Sequence, residues 1–184
     1  MIEKKIYYFL KPGEDNTDKA IECAKERAKE LGIRYVVTAS STGTTGLKVI
    51  RSIKDANIIV VGEEGDEYLE KIWERNSKTL QDLGAKILRQ TGKKGENELI
   101  ATNKHKDVPA QFIGDVLGLF SQGVKIGIEI SIMAADAGLI PTDQDIIAIA
   151  GTKSGADTVI VLRPAKMENF FEIKIKEIVC MPRE

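Results

Sequence analysis

Two rhythms of hydrophobic positions alternate along the chain. Short apolar, β-branched runs recur at residues 6–10, 34–39, 57–61, 86–88, 145–150 and 157–162. Runs of that length and composition predict strands, buried ones at 34–39, 57–61 and 145–150. Between them, apolar residues recur three and four apart, as on the buried stripe of a helix. Ile21, Ala24, Ala28 and Leu31 form one stripe, capped at Asn16 or Thr17, with Asp18 in its first turn and Gly32 as its stop. A second helix follows the second strand to about Ser52. A third starts near Asp66 with Leu69, Ile72 and Trp73, breaks near Asn76, and resumes through Leu80 and Leu83 to Gly84. Pro109 suits the first position of a helix running to about Leu119. Residues 124–137 are apolar nearly all round, which predicts a buried helix stopped by Gly138. Residues 171–180 alternate and predict a half-exposed antiparallel strand.

Strands alternating with helices predict a single α/β domain over 1–184: a three-layer α/β/α sandwich around a mostly parallel sheet. Residues 89–106 fit neither rhythm, being polar and punctuated by glycine, and a loop of that length suits a lid or binding loop better than a connector.

Composition narrows the partners. With 184 residues, 42% hydrophobic and 30% charged, the chain has the makings of one well-buried globular domain. Its 27 Lys+Arg against 28 Asp+Glu leave no net field to recruit nucleic acid or an anionic membrane. Aromatic residues are too few for a single-strand stacking platform. No apolar run reaches the ~18 residues of a membrane span. The charged start at Glu3, Lys4 and Lys5 lacks a leader pattern. Cys23 and Cys180 stand far apart with no metal or redox spacing, so both read as small hydrophobes in a reducing, cytoplasmic setting.

The chemistry concentrates where the second strand meets its helix. Ser40, Ser41, Thr42, Gly43, Thr44 and Thr45 pack small hydroxyl residues and a glycine into that turn, with Gly46 after them. Such a turn holds phosphate with unpaired backbone N–H groups and the positive end of the helix dipole. Hydroxyls add donors, and Gly43 and Gly46 let the backbone approach oxygen closely. Gly151, Thr152, Lys153, Ser154, Gly155 and Asp157 form a second glycine loop, either another wall of the site or a plain hairpin-like turn. Lys11 and Asn16 leave the first strand's carboxyl end, and Glu129 and Asp136 are candidate polar groups on an apolar helix. Trp73 reads as core packing, and His105 has no assigned role. Nucleophile-elbow, zincin, Walker-type and metal-ligand spacings are all missing from the sequence.

Two segments carry a family resemblance. VVTASSTGTTGLKVI with DANIIVVGE, and DIIAIAGTKSGADTVIVLRP, resemble the C-terminal regulatory domain of pyruvate kinase as it occurs in stand-alone proteins. The likeness spans about 18–164. It implies core strand order 3-2-1-4-5 with the last strand antiparallel. Residues 36–39 and 146–150 then become neighbours, and both glycine loops open at the switch point where such folds bind ligands. It also implies subunit contacts, hence a homo-oligomer. The second loop departs from the family, with Gly151-Thr152 in place of a tryptophan and Asp157-Thr158 in place of an Asn-Thr pair. A catalytic barrel alone takes ~250 residues, so no pyruvate kinase activity is expected. The expectation is a binder of a phosphorylated, nucleotide-like small molecule. Flavin mononucleotide (FMN) ranks first among cofactors, because one turn suits a terminal monophosphate and an apolar crevice suits a flat ring. The alternatives are a flavin- or phosphate-ester-dependent enzyme, with catalytic residues unassigned, and an assembly module whose phosphate turn is vestigial.

Overall fold

A computed structural model describes residues 1–90 and 110–184, with side chains for 1–90 and 112–184. In chain order its elements are β1 (Tyr7–Phe9), α1 (Thr17–Leu31), β2 (Tyr35–Ala39), α2 (Thr44–Ser52), β3 (Asn57–Glu63), α3 (Glu67–Asp82) and β4 (Lys86–Gln90). Then come α4 (Ala110–Gly118), α5 (Gln122–Asp136), β5 (Ile146–Ala150), β6 (Thr158–Arg163) and β7 (Lys174–Pro182). The strands form one sheet in the order β1-β7-β6-β5-β2-β3-β4.

Within it, β4-β3-β2-β5-β6 is the expected five-strand core. β2 pairs in parallel with both β3 and β5, β3 pairs in parallel with β4, and β6 is antiparallel to β5. β7 then extends the sheet antiparallel to β6, and β1 joins β7 in parallel. Thus β6 alone runs against the other strands.

Period-2 alternation assigns each strand residue to one of two apolar layers. Val36, Ile58, Val60, Ile147 and Ile149 pack in the layer that also holds Ile21, Ala24, Val49 and Leu80 of α1, α2 and α3. Val37, Ile59, Val61, Ile146, Ala148 and Ile160 pack in the layer that holds Val124, Ile128 and Ile132 of α5. A one-residue slip would exchange the two sets, so the pattern fixes the register. The sandwich has three layers, as its pattern predicts.

Four expectations change. First, α3 runs unbroken through Asn76, because Trp73, Asn76 and Leu80 lie on one buried stripe and the asparagine side chain finds tertiary partners. Second, Asn16 does not cap α1 through its side chain; Nδ2 instead donates to the Lys11 and Gly13 carbonyls at 2.8 and 3.2 Å. Third, Phe171 falls in a short 3-10 helix, Met167–Glu172, so the last strand begins only at Lys174. Fourth, Arg89 and Gln90 belong to β4, opposite Gly62 and Glu63. The rest of the polar stretch, with His105 and Pro109, lies outside the described residues. Among those described, no helix is long and apolar enough to cross a membrane.

Candidate functional site

Thr38 pairs with Ile149, so the carboxyl ends of β2 and β5 leave the sheet side by side. α2, after β2, covers one face, while α5, before β5, covers the other. The winding reverses between these two strands, the position at which open α/β sheets bind ligands. The turn at residues 40–45 and the loop at residues 151–157 both start there.

The first turn is built tightly. The Ser40 amide donates to Val61 O at 2.8 Å, and the Gly43 amide donates to Ser40 O at 3.2 Å. Gly43 sits at φ +78°, a left-handed conformation suited to glycine, and a Cβ there would lie 2.9 Å from Asn76 Cβ. Ser40 is buried, and its Oγ accepts from the Gly46 amide at 3.2 Å. The Gly43 and Gly46 amides are therefore satisfied within the protein. Gly46 is glycine for packing and not for approach to oxygen, since a Cβ there would meet both Val60 methyl carbons at 2.9 Å. The Thr44 amide has a long contact, 3.4 Å, to Thr42 Oγ1.

Three amides remain. Ser41, Thr42 and Thr45 donate their N–H to no acceptor among the described residues. Thr45 is only 7% exposed, and its hydroxyl also lacks a partner there. Buried polar groups are nearly always paired, so an amide and hydroxyl on one buried residue at a helix start call for an acceptor beyond the described residues. The α2 dipole favours an anion at that end.

Two side chains from other elements fix the turn. Buried Asn76 donates through Nδ2 to Thr42 O at 2.9 Å and to Thr44 Oγ1 at 3.4 Å. Arg89 donates through Nη1 to Ser41 O at 3.0 Å, pairs with Glu70, and lies 4.1 Å from the centre of the Trp73 ring. Gly62 makes room for this stack, because a Cβ there would approach Arg89 Nη1 to 2.7 Å and Trp73 Cζ3 to 2.8 Å. The sequence pattern assigns Asn76 to a helix break and Arg89 to a loop. The one signal that pointed here was a lone asparagine on the apolar stripe of a helix.

The second loop is organised differently. Asp157 is fully buried; Oδ2 accepts from the Gly13 and Thr152 amides at 2.9 and 3.1 Å, and Oδ1 accepts from Thr158 Oγ1 at 2.8 Å. It acts as a clasp beneath the loop and presents no oxygen at its surface. Ser154 Oγ donates to Glu14 Oε2 at 2.8 Å, and the Ala156 amide donates to Thr17 Oγ1 at 2.9 Å. A Cβ on Gly151 would meet Gly155 O at 2.7 Å, and Gly155 takes φ +72°. Lys153 is exposed and has no ion-pair partner among the described residues. No hydrogen bond or ion pair among those residues joins this loop to the first turn. The two share an edge of the sheet, and each is braced from its own side.

The family description "Pyruvate kinase, alpha/beta domain" matches residues 18–162. The chain belongs to that family. The matched segment runs from α1 to β6 and holds both glycine loops, Asn76 and Arg89; β1 and β7 fall outside it. A crystal structure of a pyruvate kinase from Cryptosporidium parvum is similar at 15% identity and TM-score 0.44, over 81% of this chain and 23% of that one. The chain thus spans under a quarter of that protein's length.

In this pyruvate kinase alpha/beta domain chain, the other candidate groups stand apart from the turn. Half-buried Glu129 lies 3.9 Å from Lys125, and burial, with the Glu63 carboxylate nearby, holds its carboxyl above the ordinary 4.5. Asp136, at the far end of α5, accepts from the Met167 amide at 3.1 Å. Among the described residues, no group of three His, Cys, Asp or Glu side chains is placed to hold a metal ion. Two shallow cavities, of about 260 and 210 Å³, lie away from both glycine loops. In the turn itself Ser40, Gly43 and Thr45 are buried, Ser41 and Thr42 half-buried, and Thr44 exposed.

Proposed function

We propose that residues 40–45 bind the phosphate of a phosphorylated small molecule. The Ser41, Thr42 and Thr45 amides supply the main-chain donors, with the Thr44 and Thr45 hydroxyls beside them. Ser40 and Gly43 shape the turn, and Asn76 and Arg89 hold it still. The observation that carries this reading is Thr45, whose buried amide and hydroxyl have no partner among the described residues. On this reading Thr152 and Lys153 flank the ligand at the neighbouring strand end, while Asp157 and Gly155 set their position. A ligand with one terminal monophosphate fits a single cradle; FMN is the first of that nucleotide-like class to try, and no pyruvate kinase chemistry is involved. Native mass spectrometry of freshly purified protein, followed by titration with FMN, adenine nucleotides and inorganic phosphate, tests it. A retained phosphorylated molecule, or a saturable thermal shift with any of these probes, is expected. No retained ligand and no shift with any probe would overturn it.

A second reading, assembly with a vestigial turn, draws on one observation. Phe112 and Val116 are exposed one turn apart on α4, and Leu119 and Phe120 are exposed just beyond it. The same native spectra report subunit number, and an oligomer with no bound ligand would favour this reading.

A further inference from the structure

The turn at residues 40–46 carries no charged side chain. Main-chain amides and a helix dipole offset only part of a phosphate's charge, so a nearby ammonium or guanidinium strengthens the hold. Among the basic residues at this edge of the sheet, Arg89 is committed to Ser41 O, Glu70 and the Trp73 ring. Lys125 belongs to α5, on the opposite face. Lys11 and Lys153 sit on other loops, and no hydrogen bond or ion pair among the described residues ties either loop to the turn. Lys48 is on α2 itself.

Lys48 lies three residues after Thr45 and four after Thr44, so the three share one side of α2. A helical side chain leans toward the amino end of its own helix, which carries the Lys48 ammonium back toward the start of α2. Its Nζ donates to Asp18 Oδ1 at 2.8 Å, and Asp18 stands in the first turn of α1. Both helices follow strands of the same direction and cover the same face, so both begin at the carboxyl edge of the sheet. The ion pair thus spans two helix starts, one turn from buried Thr45, whose amide and hydroxyl lack a partner among the described residues. Its two side chains are 47% and 83% exposed, and a pair so open to water contributes little to stability. Lys48 is held in place without being committed there.

We propose that Lys48 is the cation of the phosphate site and that the Asp18 carboxylate is its resting counter-ion, displaced when phosphate arrives. The inference rests on the reading of residues 40–45 as a phosphate turn and adds an exchange of partners to it. Without ligand, Asp18 neutralises Lys48. A phosphate dianion at the Thr45 amide offers the ammonium more charge than one carboxylate does, and the flexible lysine stem turns to it with no change of backbone. Asp18 keeps the amino end of α1 as its partner. Lys48 is then a ligand contact and Asp18 a positioning residue that competes with the ligand and sets its affinity.

Titration of inorganic phosphate into the full chain at fixed ionic strength, read at the Thr45 amide resonance, tests this. The proteins are wild type, Lys48→Met, Lys48→Arg, Asp18→Asn and the Asp18→Asn, Lys48→Met double variant. Lys48→Met should weaken binding about tenfold or more. Lys48→Arg, which keeps the charge, should stay within about threefold of wild type. Asp18→Asn should tighten binding about three- to fivefold. In the Lys48→Met background the same change should move affinity by less than about twofold. Both positions are exposed, so every variant should melt close to wild type. Unchanged affinity in Lys48→Met, or an Asp18→Asn gain that persists in the double variant, would overturn the exchange and leave the phosphate turn standing. No saturable shift in the wild type would instead overturn the turn itself, and the exchange with it.

Discussion

At the scale of single residues, the turn separates hydroxyls that build from hydroxyls that are left over. Ser40 spends its oxygen on the Gly46 amide, and the Thr42 hydroxyl donates to Thr44 Oγ1 at 3.0 Å, leaving the Thr44 O–H to donate elsewhere. Thr45 keeps an amide that has no partner among the described residues. Thr44 is exposed at the first position of α2, where a carboxylate would favour the helix by about 0.3–1 kcal/mol. Thr44→Glu is therefore expected to leave Tm unchanged or slightly higher while weakening phosphate binding at least about tenfold by charge repulsion. Paired melting curves and phosphate titrations check it, and unchanged affinity would count against the cradle. That residues 40–45 form a strand-to-helix turn was legible from their composition. Which of those groups remain free was not, because Ser40's acceptor role and the packing demand on Gly46 depend on contacts with α2 and β3.

At the scale of elements, α3 and β4 are the braces. An asparagine inside a helix pattern reads as a breaker, because its side chain can compete for backbone groups. Here its partner is Thr42 on another element, a contact no local pattern contains. Arg89 likewise reads as the start of a polar loop until Glu70, Trp73 and Ser41 are seen around it. Asn76→Ala strips buried partners from the turn and should cost about 1–3 kcal/mol of stability. It should also weaken phosphate binding by releasing the turn, although Asn76 supplies no proposed ligand contact. Denaturant melts and titrations on the same samples separate the two effects; a stability loss with unchanged affinity would mean that the turn holds its shape alone.

At the scale of the whole molecule, the five-strand core could be read because each of its strands is an apolar run flanked by helical stripes. β1 and β7 could be read as strands, but their order beside β6 could not. β1 is three residues long, and its pairing Tyr7↔Cys180 joins the two ends of the chain. The burial of Asp157 beneath Gly13 and Thr152 was hidden for the same reason. Charge burial also acts on the fold as a whole. The Glu129 carboxyl titrates above its ordinary 4.5 because burial and Glu63 disfavour its charged form. The folded chain then holds that proton more tightly than the unfolded one, so stability falls as pH rises through the raised value. Glu129→Gln should raise Tm at neutral pH, and the gain should vanish below 4.5, which melts across that range will show. The central claim is tested most directly by following backbone amides in proton–nitrogen correlation spectra during titration with inorganic phosphate and then FMN. The account predicts saturable downfield shifts at Ser41, Thr42 and Thr45, with little change at Gly43 and Gly46. Unmoved resonances at those three residues, at concentrations that saturate any shift elsewhere, would contradict it.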